Sequence, residues 1–317
     1  MNSLYLYGGF LAFVIAMLMV DLKLFHSDAH TPSNKQSASW VAVWVTLAIS
    51  FGAVIFFWKG PTAAAEYFAG YLVEYSLSVD NMFVFLVIFG YFKVKPAYQH
   101  QVLFFGILGA IFFRGVFIAL GVALINRFEW VIFLFGLLLI YTAVKIVRGT
   151  QDVDPEHNPV LRFLKGKFPT TDRYDGQKLF TVENGKRVAT PLFVVLVIVE
   201  TTDIAFAVDS IPAIFAITRD PFIVLTSNVF AILGLRALYF LLAGSMNRFH
   251  LLKYALGVIL AFVGTKMLLS KVWHPPTALS LGVIAAVLGV TAVASILIKP
   301  KAPIVEPLEG SESSSEH

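Results

Sequence analysis

Glu74 stands six residues before Asp80, and Asp203 stands six before Asp209, each pair inside an otherwise apolar run. In both runs a valine, Val79 or Val208, precedes the second acid. Asn81, Glu200 and Ser210 flank these acids, with Thr201 and Thr202 nearby. Carboxylates at bilayer depth are costly and are rarely kept without a use. The donors are carboxylate, amide and hydroxyl oxygens. Such hard ligands suit Mn, Mg or Ca, whereas soft or imidazole-rich sets suit Cu and Zn. The 7 histidines lie at or beyond the ends of the apolar runs. The chain has no cysteine, which excludes disulfides, thiolate metal sites and thiol redox chemistry of its own. A negative pocket also disfavours passage of an oxyanion. The chemistry on offer is to strip and hold a hard divalent cation, with Glu74, Asp80, Asn81, Glu200, Asp203, Asp209 and Ser210 as candidate ligands.

A purely architectural use competes with that reading. Arg114 and Arg236 lie inside apolar runs and can pair with the acids to lock a bundle. Two arginines cannot neutralise the five carboxylates, so charge is left for a cation or for protons. Arg114, Arg236 and Asp21, near the inner end of the first run, are assigned as gate or ion-pair residues; Asp21 also reads as an interfacial charge. Glu66, Glu129 and Asp220 read as interfacial charges, and Asn228 with Thr226 and Ser227 as a helix-packing polar cluster, with a ligand role for Asn228 as the alternative. Asp152, Asp154 and Glu156 lack the glycine and terminal glutamate of an EF-hand loop and read as a solvated loop.

The spacing constrains the elements that carry the acids. On a straight helix, residues six apart lie about 240° apart around the axis. Each pair therefore serves two faces or sits on an interrupted helix. Pro212 favours an interruption in the second run, because its ring clashes with the carbonyl of residue 208. In the first run only Ser76 and Ser78 hint at a break. Broken spans expose carbonyls and helix ends that coordinate cations.

The rest of the chain reads as membrane. Hydrophobic residues make up 58% and charged residues 14%, against roughly a quarter charged in soluble domains. Mean hydropathy is +0.78. A bilayer-crossing helix needs about 20 mostly apolar residues. Such runs fall near 4–24, 38–58, 66–90, 100–124, 128–148, 191–217, 222–243, 250–270 and 277–298. The expected fold is all-α, a polytopic membrane helix bundle of about nine spans. Assigning alternate loops to opposite sides places 17 Lys and Arg on one side and 5 on the other. The positive-inside rule then puts the N-terminus in the periplasm and the C-terminus in the cytoplasm of a bacterial inner membrane. The basic balance of +4 is this loop bias and needs no nucleic acid. The first run has no basic n-region or small-residue cleavage site and reads as a retained helix.

Six segments follow: two N-terminal spans over 1–65, a three-span unit over 66–148, a polar loop over 149–190, a second three-span unit over 191–270, a ninth span over 271–298 and a tail over 299–317. The two three-span units share the acidic run, then Ile-Leu-Gly with a following arginine: Ile107-Leu108-Gly109 with Arg114, and Ile232-Leu233-Gly234 with Arg236. Three is odd, so the second unit crosses from the opposite side, the inverted-repeat plan of many transporters, with its site near mid-membrane. In the 149–190 loop, Asn184-Gly185 has hairpin chemistry. That loop is also the surface on which a cytoplasmic protein would dock. The tail from Pro300 is rich in Pro, Glu and Ser and is expected to be disordered.

The run Val73-Glu74-Tyr75-Ser76-Leu77-Ser78-Val79-Asp80-Asn81 and the run Glu200-Thr201-Thr202-Asp203-Ile204-Ala205-Phe206-Ala207-Val208-Asp209-Ser210, with Asp21-Leu22, resemble the TerC family of bacterial membrane proteins, in particular its Alx-like branch. The resemblance covers about 1–298. It implies an exporter of manganese or another metal-homeostasis role, linked to tellurite resistance and alkaline pH, with Mn2+ as the transported ion and no permanent cofactor. Asp203 stands where related proteins commonly carry the longer Glu. A redox-modulator role has been attached to the family; a chain without cysteine or cofactor motif offers it nothing. Two other readings stay open: a stress-related membrane protein acting through a cytoplasmic partner, and an exporter of another divalent ion such as Ca2+.

Overall fold

A computed structural model describes residues 3–25, 33–148, 162, 169–183, 185–243, 251–272 and 275–298. The acidic stretch 152–156 and the tail from 300 lie outside the described residues. The elements are α1 (Ser3–Phe25), α2 (Asn34–Lys59), α3 (Pro61–Tyr91), α4 (Pro96–Arg127), α5 (Val131–Arg148), β1 (Phe180–Glu183), β2 (Lys186–Ala189), α6 (Pro191–Phe215), α7 (Pro221–Leu233), α8 (Leu235–Ala243), α9 (Leu252–Leu268) and α10 (Thr277–Leu297). The protein is an all-α polytopic membrane bundle. Among the described residues, seven helices are long and apolar enough to cross a membrane, with Pro221–Ala243 counted as one. The other two expected spans correspond to α1, whose apolar part is Tyr5–Val20, and to the 17-residue α9.

Punctuation in the sequence sets the helix starts. Pro61, Pro96, Pro191 and Pro221 each open a helix, where the missing N–H is an orphan anyway and the fixed φ is already helical. Ser33 and Gln36 form a reciprocal capping box at the start of α2. Gly60, at φ 93°, turns the chain from α2 into α3. The α7–α8 span is the central one: 89% of its most apolar stretch is buried, against 11% for α10. Exposed Phe57, Phe112, Leu120 and Val290 form part of the outward apolar surface, which faces lipid rather than water.

Contacts fix the helix directions. The Thr218 hydroxyl, just past α6, donates to Glu66 at the start of α3 at 2.5 Å, so α3 and α6 run antiparallel. Helix α4 runs parallel to α6, with Gly106 against Val199 and Gly121 against Phe215. Helix α3 runs parallel to α7, with Gly70 against Ser227. Helices α5 and α9 are antiparallel: Gly136 faces Gly264, and Gly257 faces Ala143 and Val147. At this crossing a Cβ on Gly264 would stand 2.9 Å from the Gly136 carbonyl, a backbone approach that only small residues permit.

Both acid-bearing helices are continuous, which corrects the expected interruption. Helix α3 spans 31 residues and α6 spans 25, with Pro212 inside its last turn. There the proline removes one intrahelical donor, for the Val208 carbonyl, and the helix still closes through Ala216 N–H to Pro212 O at 3.1 Å. The break in the described second unit falls one span later, at Gly234 between α7 and α8.

Strands β1 and β2 pair antiparallel, Phe180 opposite Ala189 and Glu183 opposite Lys186, with Gly185 at φ 74° in the turn. The preceding segment is tied to the α3–α4 connection. Tyr174 Oη donates to the Phe92 carbonyl at 2.7 Å and Gln177 Nε2 to the Ala97 carbonyl at 3.3 Å. Outside the bundle, Asp175 accepts from Lys178 and Thr181 at 3.0 and 2.8 Å, and these bonds hold its carboxyl below the usual carboxylate range. The hairpin therefore marks the end of the bundle where α3 finishes and α4 and α6 begin.

Candidate functional site

Arg114 of α4 is the hub of the buried polar residues. Its Nη1 donates to Glu74 of α3. Its Nη2 and Nε reach the two carboxylate oxygens of Asp203 on α6, at 3.1 and 3.4 Å. Nη1 also lies 3.4 Å from the Ser210 hydroxyl and 3.4 Å from Asn228 Oδ1. Asn228 Nδ2 in turn donates to the second oxygen of Glu74 at 3.1 Å. Five side chains from four helices thus form one network, and Glu74, Arg114 and Asp203 are 0%, 2% and 8% exposed. The guanidinium fork matches carboxylate geometry, which makes arginine the suitable cation here. Two carboxylates on one guanidinium leave the trio with one excess negative charge.

A small pocket borders this network on the hairpin side. Gly106 and Ala110 of α4, Glu200 and Asp203 of α6, Met82 of α3 and Arg236 of α8 are among its walls. The cavity volume is about 20 Å3, room for one water or a bare ion. Glu200 Oε2 is buried and has no hydrogen-bond partner among the described residues. A Cβ at Gly109 would overlap the Glu200 carboxylate, so the glycine creates the space this carboxylate occupies. Leaving a buried acceptor unsatisfied costs free energy, so the Glu200 oxygen is an open ligand for a water, proton or cation.

Asp209 faces elsewhere. Its carboxylate accepts from Thr142 Oγ1 of α5 at 3.0 Å. On a continuous α6 the six-residue spacing sends Asp203 toward α4 and Asp209 toward α5. The expected seven-residue ligand set is accordingly not gathered at one point: among the described residues, no group of three or more His, Cys, Asp or Glu is placed to hold a metal ion. Asn81 is buried, at 4% exposure, and Arg236 at 3%. Asp21 lies on α1 and Asp80 on α3, and their side chains are outside the described ones.

Asn228, which the sequence offers first as a packing residue and second as a ligand, joins the buried network. Its neighbours Thr226 and Ser227 satisfy themselves by donating to their own helix, to Phe222 O at 2.7 Å and Val224 O at 3.2 Å. Such back-bonding is a habit of hydroxyl side chains. An amide in the most buried span must find partners on other helices, and that was the available signal. Asp220 and Glu66 also do more than decorate span ends. Asp220 caps α7 through Phe222 N–H at 3.0 Å and pairs with Lys59, while Glu66 accepts from Thr218.

A second cavity, of about 300 Å3, opens at the end opposite the hairpin, lined by Glu66, Phe215, Thr218, Arg219 and Lys266 among others. The Phe215 ring packs against Gly121 and stacks with Phe135 at 6.4 Å. Ile118, one turn beyond Arg114, belongs with Ile211 and Phe215 to one buried apolar cluster. Along α4 and α6, Ile118 and Ile211 follow the network residues Arg114 and Ser210 toward Phe215, which lines the larger cavity.

Comparison with known proteins points to one group. Residues 59–302 match the family described as Integral membrane protein TerC family. The membrane protein STKORF319 of Myxococcus xanthus is 49% identical over 299 residues, covering 94% of each chain. Alx of Escherichia coli strain K12, whose name gives it a provisional role as a membrane-bound redox modulator, is 48% identical over 296 residues, 90% of this chain and 92% of its own. A membrane protein of Rickettsia bellii is 40% identical over 295 residues, 92% of this chain and 96% of its own. No solved structure matches.

Proposed function

The chain belongs to the TerC family of integral membrane proteins, and on that premise we propose that it is a secondary transporter that exports a divalent cation, Mn2+ first, across the bacterial inner membrane. The observation that carries this reading is the meeting of Glu74 and Asp203, from two antiparallel helices, on Arg114 with one negative charge in excess. Beside them Glu200 offers an open oxygen to a pocket the size of one ion. The family resemblance favours manganese, and the oxygen donors accept Mn2+, Mg2+ and Ca2+ alike.

With the hairpin end in the cytoplasm, as the charge bias has it, the ion enters past Glu200 and Asp203. It reaches the network at mid-membrane, and the layer of Ile118, Ile211 and Phe215 must open to release it. The antiparallel α3 and α6 supply the two halves that rock against each other in alternating access. Clustered carboxylates exchange a metal for protons, so a proton gradient is the proposed coupling. Asp80, Asn81 and Asp209 complete the ligand set in the states through which the ion passes, and Asp21 and Arg236 act as gates.

Cellular manganese after expression in an exporter-deficient host tests the assignment. Wild type is expected to lower it, and Asp80→Asn and Asp209→Asn to leave it high. If both variants lower manganese as well as wild type, the site assignment is wrong. Ca2+ loading in the same cells separates the two cargoes.

The exposed apolar side chain of Val182, 68% accessible on β1, favours a second reading, in which the hairpin docks a cytoplasmic protein and nothing is transported. Deleting 179–189 distinguishes the two. Transport that survives the deletion but not acid neutralisation supports the exporter; the reverse pattern supports the docking protein.

A further inference from the structure

We infer that the Arg114 guanidinium is an exchangeable counter-cation: it holds the Glu74 and Asp203 carboxylates while the site is empty of cargo and surrenders them when a divalent ion binds. This rests on the transport reading above and concerns how the same site is emptied and filled.

Three observations lead to it. First, the geometry is that of a cation already bound. Arg114 presents Nη2 and Nε to the two oxygens of Asp203 and Nη1 to Glu74, so the carboxylate oxygens a metal would use are engaged. A divalent ion at those oxygens and a guanidinium at hydrogen-bond distance repel one another strongly in a buried place.

Second, the charges do not match one to one. Here two buried carboxylates answer to one guanidinium. Once the guanidinium has turned off the two carboxylates, a divalent ion brings that pair to neutrality, which a monovalent ion cannot do.

Third, the exchange has a way in and a place for the displaced group. Glu200 lies one helical turn from Asp203 on the pocket side, with Oε2 unpartnered among the described residues. An ion in the 20 Å3 cavity meets Glu200 and Asp203 before it meets Glu74. Arg114 Nη1 already lies 3.4 Å from Ser210 Oγ and 3.4 Å from Asn228 Oδ1, two neutral acceptors that can keep the guanidinium once the carboxylates turn to the metal. Asn228 also steadies Glu74 through its amide at 3.1 Å. On export the arginine reclaims both carboxylates, which drives the ion out and resets the site.

Removing this positive charge is expected to strengthen cation binding while stopping transport. Mn2+ binding to purified full-length protein in detergent can be followed by loss of the free-ion electron paramagnetic resonance signal, alongside the rise in Tm that Mn2+ causes. Arg114→Gln is expected to bind Mn2+ roughly tenfold or more tightly than wild type. It should melt lower without metal, gain more Tm from Mn2+ than wild type does, and transport none. Arg114→Lys, whose single ammonium cannot span both carboxylates, is expected to fall between them and carries the test if Arg114→Gln does not fold. Wild type that binds Mn2+ while the folded Arg114 variants bind it no more tightly overturns the inference and leaves the exporter reading standing. Failure of wild type, Arg114→Gln and Arg114→Lys all to bind Mn2+ overturns both.

Discussion

Glu74→Gln and Asp203→Asn are each expected to lower manganese flux roughly 100-fold or more while leaving a folded protein. Losing even an outer partner of a metal ligand costs 10–100-fold, and these are proposed ligands. Either single change leaves Arg114 with one carboxylate, an evenly charged buried pair. The lost charge-assisted bond, about 1.5–3 kcal/mol, is offset by removing the repulsion between two carboxylates that share one guanidinium. The double variant is different. It strands a guanidinium that is 2% exposed among neutral groups, and breaking a buried ion pair in this way costs about 3–5 kcal/mol. Stable singles without flux and an unstable double, read from Tm and from liposome flux, identify a working site. If the singles melt as low as the double, the network is an architectural lock instead.

Gly109→Ala is expected to leave stability nearly unchanged and to abolish flux. The three atoms nearest the added methyl all belong to the Glu200 carboxylate, which it overlaps. A carboxyl group at the end of a flexible side chain can swing aside at small cost, so the fold survives. The adjoining cavity, of about 20 Å3, lies beside that carboxylate. The site is therefore filled by the protein's own side chain. Size-exclusion profile and Tm report the fold, and Mn2+ binding reports the pocket. Normal Mn2+ binding by Gly109→Ala would remove Glu200 and its pocket from the account. Trimming Glu200 as well, in Gly109→Ala/Glu200→Ala, reopens the space but not the ligand, so flux is expected to stay lost.

What could be read in advance depended on physics that one sequence carries. Long apolar runs and the N1 prolines Pro61, Pro96, Pro191 and Pro221 place the helices, because bilayer thickness and backbone sterics act locally. The costliness of intramembrane charge singles out Glu74, Asp203 and Arg114. Pairing of the acids with Arg114 or Arg236 was legible, but which acids Arg114 takes was not, since it lies 40 residues from Glu74 and 89 from Asp203 and the choice of partner is made by helix packing. Gly109 illustrates the same limit: only the contact with Glu200 shows why that position is glycine. Pro212 misled in an informative way. A proline in a helix's last turn costs one bond and need not break the span, so the six-residue spacing is resolved by two faces of one helix rather than by a kink. Asn228 was ambiguous between packing and ligand, because its bonds to Arg114 and Glu74 reach across to other helices.

The most direct measurement is Mn2+ uptake into liposomes that hold the purified protein, with and without a pH gradient, wild type beside Asp203→Asn. The account predicts uptake by wild type above protein-free liposomes, accelerated when the gradient favours proton exchange, and none by Asp203→Asn. Wild-type uptake no faster than the protein-free background, or equal uptake by Asp203→Asn, would contradict it.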